Sequence, residues 1–129
     1  MKSLPALSPK MMAYTSMFYE SGIVETPEIL AEEVEASTFQ TTFYNCKSLT
    51  QAPELPATTL AERCYIYMFM GCDKLNYVKC LATDISAVNC TTNWFYGVSS
   101  TGDFYTLAAT NWTAGNDGIP LGWTRHDIT

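Results

Sequence analysis

The chain has 129 residues, a formal net charge of −6 and a pI near 4.5, with 47% apolar and 13% aromatic residues. That apolar content supports a packed core and excludes wholesale disorder, while the acidic balance leaves no basic footprint for nucleic acid or for an anionic membrane surface. Charged residues reach only 16%, against roughly 25% in an ordinary soluble domain, and no stretch approaches the ~18 consecutive apolar residues of a membrane span.

In chain order, residues 1–16 read as a partial repeat or cap. Met1-Lys2-Ser3-Leu4-Pro5 lacks the apolar run of a secretion signal, so any export signal is expected outside this chain. Residues 17–100 carry a repeat. Phe43, Cys46 and Leu49 recur as Phe69, Cys72 and Leu75, all at an offset of 26. Ile23 precedes Leu49, Pro27 precedes Pro53, Cys90 follows Cys64 and Phe95 follows Phe69 by the same offset. Phe18 to Phe43 is 25, so the first copy is one residue short. Such a unit cannot bury its apolar face alone, and stacking copies lays like residues on one another as a continuous core. A period of 26 lies within the 20–29 residues of leucine-rich repeats, one strand plus a helix or 3-10 segment per unit.

The register places strands at Ile23–Thr26, Leu49–Ala52, Leu75–Val78 and Gly102–Thr106, with Pro27 and Pro53 ending the first two because proline offers no N–H to a ladder. The opposite wall is expected over Leu60–Met70, a short helix entered at Thr58 or Thr59 and closed by Gly71. Thr26-Pro27 through Ala36 also looks like a capped helix, although the register assigns those residues to a post-strand loop. Residues 101–129 read as a C-terminal cap and tail. In that cap Trp112 and Trp123 cover the open end, and Trp94, at the repeat position of Met68, belongs to the core.

Ser48-Leu49-Thr50-Gln51-Ala52-Pro53-Glu54-Leu55-Pro56-Ala57-Thr58-Thr59-Leu60-Ala61 resembles the repeat unit of BspA-type leucine-rich repeat proteins, found on the surfaces of gut and oral Bacteroidetes. Met68-Phe69-Met70-Gly71-Cys72-Asp73-Lys74-Leu75 looks like that family's M-F-x-G-C-x-x-L segment. Leu75–Ala87 and Trp112–Thr124 are similar to its final turn and terminal cap. The resemblance covers roughly residues 17 to 124. It implies an α/β fold: a right-handed leucine-rich repeat solenoid of about four turns, with short parallel strands on one face and short helical or 3-10 segments on the other. It also implies cell-surface display and binding or adhesion toward a host protein or glycan, without a catalytic site. Similar repeats in phage tail proteins make a structural spacer or receptor-binding segment the alternative.

The five cysteines, Cys46, Cys64, Cys72, Cys80 and Cys90, are odd in number, which argues against a closed disulfide framework. Cys46/Cys72 and Cys64/Cys90 lie one repeat apart and read as stacked, reduced core thiols. No C-x₂-C pair supports zinc, and Glu32, Glu33 and Glu35 lack the spacing of a calcium loop. No metal, cofactor or catalytic residue is therefore expected. His126 reads as a frayed, solvated tail residue. Outward strand positions align into rows across the repeats, placing Glu25, Gln51, Tyr77 and Asp103 in one and Lys79 and Tyr105 in the next. These six are the candidate ligand-binding residues for a protein or glycan partner. The N-terminal edge lacks a clear cap, so either a truncated array or pairing of two copies through that edge is expected.

Overall fold

A computed structural model describes residues 18–24, 26, 29 and 34–128, so the expected N-terminal cap and its pairing edge, along with Glu25, Pro27, Glu32 and Glu33, lie outside the described residues. The aromatic columns show how the chain packs. Phe18, Phe43, Phe69 and Phe95 stack in series, with centroid separations of 5.4, 5.5 and 5.6 Å and interplanar angles of 4°, 2° and 14°. A second column runs from Phe39 through Tyr65 and Trp94 to Trp112, at 6.1, 5.8 and 5.2 Å. Phe43, Phe69, Leu49 and Leu75 are all fully buried. Trp123 stacks on Phe95 at 5.7 Å, so Trp112 and Trp123 each lie on the last ring of a column. All three indole N–H groups find acceptors: Trp94 donates to Gly118 O, Trp112 to Thr106 Oγ1 and Trp123 to Ser99 O, at 3.0, 2.8 and 2.8 Å.

The expected fold class is not what these residues build. Among the described residues there is no helix and no 3-10 segment, and the regular structure is one open sheet of three parallel strands. These are β1 (Tyr77–Cys80), β2 (Gly102–Leu107) and β3 (Trp123–Ile128), in the order β1-β2-β3. The α/β leucine-rich repeat solenoid with helical segments on one face is corrected accordingly.

The backbone explains why no helix forms over Leu60–Met70. A right-handed helix sends each N–H to the carbonyl four residues back. Here the donors alternate. The amides of Cys64, Ile66, Met68 and Met70 bond three residues back, to Ala61, Arg63, Tyr65 and Tyr67. Those of Arg63, Tyr65, Tyr67 and Phe69 instead cross to Val88, Cys90, Thr92 and Trp94, one repeat on. The preceding segment does the same, with Phe39, Thr41, Phe43 and Asn45 bonding to Cys64, Ile66, Met68 and Met70. Every fourth residue is left-handed: Ser37, Thr41 and Asn45, then Arg63, Tyr67 and Gly71, then Asn89, Asn93 and Gly97, with φ between 48° and 80°. A single residue at such a φ breaks a right-handed helix. The wall is thus a ribbon of consecutive turns whose spare amides join adjacent repeats.

The strands differ from expectation too. Ile23, Val24 and Thr26 lie in no strand. Leu49–Ala52 contributes only an isolated bridge between Gln51 and Tyr77, with another between Leu55 and Cys80. Ala52 and Leu55 donate to Tyr77 O and Lys79 O at 3.0 and 2.9 Å, but Pro53 between them has no N–H, so the ladder is interrupted. β1 starts two residues later than expected, and β2 runs one residue longer. Residues 123–128, expected as part of the C-terminal cap and tail, form β3. Of the alternative helix at 26–36, most lies outside the described residues, and Val34 and Glu35 are not helical.

All five cysteines are free and buried. Burial pushes the Cys64 and Cys80 thiols up to about 12. The Cys46 and Cys72 thiols donate to Phe18 O and Phe43 O at 3.0 and 2.9 Å, and the interaction between the two neighbouring thiols lowers Cys46 and raises Cys72. At pH 8 a disulfide-exchange reagent should therefore label Cys46 first and leave Cys64 and Cys80 untouched until the chain unfolds. Folded thiols that hold their protons above the ordinary 9.0 bind more protons than the unfolded chain does in that range. Stability should consequently be full below pH 9 and fall as pH rises from there toward 12. Equal native labelling rates for Cys46 and Cys80 would refute this assignment.

Candidate functional site

Alternation along the strands sets the outer face of the sheet. Val78, Cys80, Phe104, Thr106 and Trp123 are buried against the core, so their sequence neighbours point outward. Register then aligns them. Tyr77 pairs with Asp103 and Asp103 with Thr124; Lys79 pairs with Tyr105 and Tyr105 with His126. Gln51 extends the first row through its bridge to Tyr77. Five of the six expected binding residues, Gln51, Tyr77, Lys79, Asp103 and Tyr105, are thus brought to one face, and Glu25 lies outside the described residues.

Two further members of the face, Thr124 and His126, escape the sequence reading. His126 is no frayed tail residue: Nε2 sits 2.8 Å from Asp103 Oδ1, and the imidazole stacks on Tyr105 at 4.4 Å and 13°. The repeat does not reveal them, because the last step in the row, from Asp103 to Thr124, falls short of the period that separates Tyr77 from Asp103. The available signal is Trp123 at the head of a short segment, an aromatic able to close the phenylalanine column.

The charges on this face are paired. Lys79 Nζ lies 2.9 Å from Glu54 Oε1, and that hydrogen bond holds its ammonium above the usual lysine value. Asp103 faces His126. Arg125 is a brace: its guanidinium donates to Asp127 at 2.6 Å and to the carbonyls of Leu107, Ala108 and Thr110 at 3.2, 3.3 and 2.8 Å. Tyr77 and Tyr105 lie 5.3 Å apart at 38°, so the Tyr105 ring is sandwiched between Tyr77 and His126, while Tyr77 ends the row of rings among the described residues.

Beside Tyr77, at the start of the strands, opens a groove of about 420 Å³. Asn76, Tyr77, Thr101, Asp103 and Thr124 line its walls, with Gly102 and Gly122 between them. A methyl group at Gly102 would come within 2.6 Å of the Trp123 ring and 2.8 Å of Asn76 O. At Gly122, where φ is +87°, it would strike Ser100 O. Both positions bring backbone close to backbone at the groove floor. Among the described residues no group of three or more His, Cys, Asp or Glu side chains is placed to hold a metal ion, and no helix is long and apolar enough to cross a membrane. Compared with known proteins, the chain matches no protein-family model, no curated protein and no solved structure.

Proposed function

We propose that the chain is a non-catalytic binding module that recognises an extracellular ligand through the outer face of its sheet. The observation that carries this reading is the convergence of Gln51, Tyr77, Asp103 and Thr124 with Lys79, Tyr105 and His126 in two adjacent rows, beside an open polar groove. Rigid strands hold these side chains, and rings fix their neighbours, so little ordering cost remains for binding. Among the described residues the thiols are buried, which withdraws them as nucleophiles. The resemblance of Ser48–Ala61 and Met68–Leu75 to BspA-type repeats supports display on a bacterial cell surface and a protein or glycan ligand.

The test is binding to panels of glycans and of extracellular-matrix proteins, repeated with Tyr77→Ala. Loss of tenfold or more in affinity, with near-ultraviolet circular dichroism unchanged, is expected. Undiminished binding by both Tyr77→Ala and Tyr105→Ala would defeat the reading. A structural spacer is the second reading, and one feature favours it: among the described residues β3 is an edge strand, paired with β2 alone. Concentration-dependent assembly in light scattering, without ligand binding, would select it.

A further inference from the structure

We infer that the groove beside Tyr77 takes one or two residues of a neutral glycan. This rests on the reading of the sheet as the recognition face and names the chemistry of its ligand. The groove's volume of about 420 Å³ lies within the ~300–1,000 Å³ of small-ligand sites. Its walls offer an amide at Asn76, hydroxyls at Thr101 and Thr124, and a carboxylate at Asp103. Vicinal sugar hydroxyls both donate and accept, and they match such a mixed set. A peptide anchored by apolar side chains does not.

Charge decides between glycan classes. No lysine, arginine or histidine is among the residues that line the groove, and on the adjoining sheet face Lys79 is paired with Glu54 while His126 bonds Asp103. A uronate, sulfate or phosphate would face the Asp103 carboxylate with no guanidinium or ammonium in the lining to offset it. Asp103 is the single carboxylate lining the groove, far short of the six to eight oxygens that a calcium ion collects. The carboxylate is instead oriented by His126 at 2.8 Å, which leaves acceptor capacity for a sugar hydroxyl. Tyr77, terminal in the row of rings, supplies an apolar border on which the C–H face of a pyranose can rest.

The experiment is a heteronuclear NMR titration of the full chain with uncharged gluco-, manno- and galacto-oligosaccharides, in parallel with uronate and sulfated oligosaccharides of the same length. At least one neutral series should shift the amides of Tyr77, Gly102, Asp103 and Thr124. Its affinity should fall at least tenfold in Asp103→Ala and severalfold in Thr124→Val, and Thr124, being exposed, is replaceable without unfolding the chain. Tighter binding of an acidic oligosaccharide than of its neutral counterpart would overturn the assignment. So would shifts confined to other residues, or binding by none of the series. If a matrix protein is captured and lost on Tyr77→Ala while no oligosaccharide binds, the glycan assignment falls and the recognition face survives. If neither ligand class depends on Tyr77 or Tyr105, both fall together.

Discussion

Replacing Trp94 by alanine should lower stability by about 3–5 kcal/mol, as truncation of a buried aromatic does, a large part of the roughly 5–15 kcal/mol of a typical domain. Trp94 is fully buried and joins both aromatic columns. It stacks on Tyr65 and Trp112, packs on Phe95 at 4.2 Å and meets Phe104 edge-on at 6.0 Å. Its indole N–H also satisfies Gly118 O, which alanine would leave without that donor. Trp94→Phe keeps the stack and removes the donor, so it should cost less, roughly 1–3 kcal/mol. Tyr65, next in the column, carries the opposite sign. Its hydroxyl is buried without a hydrogen-bond partner, so Tyr65→Phe should raise stability by about 1 kcal/mol. Urea midpoints at constant slope measure all three. A Trp94→Ala shift no larger than that of Leu121→Ala, where the leucine is 76% exposed, would show that the columns do not hold the molecule together.

The second large effect is expected at Gly71. Its φ is +80°, and a methyl group there would collide with the Asn45 side chain one repeat back. Its amide donates to Tyr96 O at 2.7 Å and its carbonyl accepts from Lys47 Nζ at 2.8 Å, so the backbone is held on both sides and cannot swing away. Gly71→Ala should lose about 1–2 kcal/mol from the left-handed conformation and about 1–3 kcal/mol from overpacking. Adding Asn45→Ala should remove the clash but carry its own cost, because Asn45 is left-handed too, with φ 55°; a double-mutant cycle isolates the coupling. Gly22→Ala, with open space around it, serves as the neutral comparison. A Gly71→Ala protein as stable as the parent would show that the row of left-handed residues is not required.

The same residues explain why the sequence suggests a helix where none forms. Buried positions Cys64, Tyr65, Met68, Phe69 and Cys72 fall at steps of one, three and four, which is also the pattern of an amphipathic helix. A ribbon of turns with a left-handed residue every fourth position buries the same set. The discriminating signal is present in Asn45, Gly71, Asn89, Asn93 and Gly97, residue types that tolerate positive φ. Arg63, Tyr67 and Thr41 in equivalent positions mask it, because they adopt that conformation only where neighbouring repeats enforce it.

At the candidate site, Gln51, Tyr77 and Asp103 are legible because the repeat period is itself the register between rows. Lys79 and Tyr105 follow for the same reason. Thr124 and His126 are not, since the loop from Ala108 to Gly122 returns the chain to the sheet sooner than the period would, and only its folded path sets where β3 begins. That path is fixed by contacts remote in sequence. Asn116 and Asp117 accept from the amides of Phe95 and Asn93, at 3.3 and 2.7 Å, and Thr91 Oγ1 donates to Asp117 O at 2.7 Å.

From its residues alone, then, this chain determines a period, the phenylalanine column and the order in which its side chains superimpose, because burial rewards like residues stacked at equal intervals. Whether each backbone amide bonds back along its own repeat or across to the next is decided only by the assembled molecule. Both arrangements bury the same side chains, and the choice between them depends on partners a full period away along the chain.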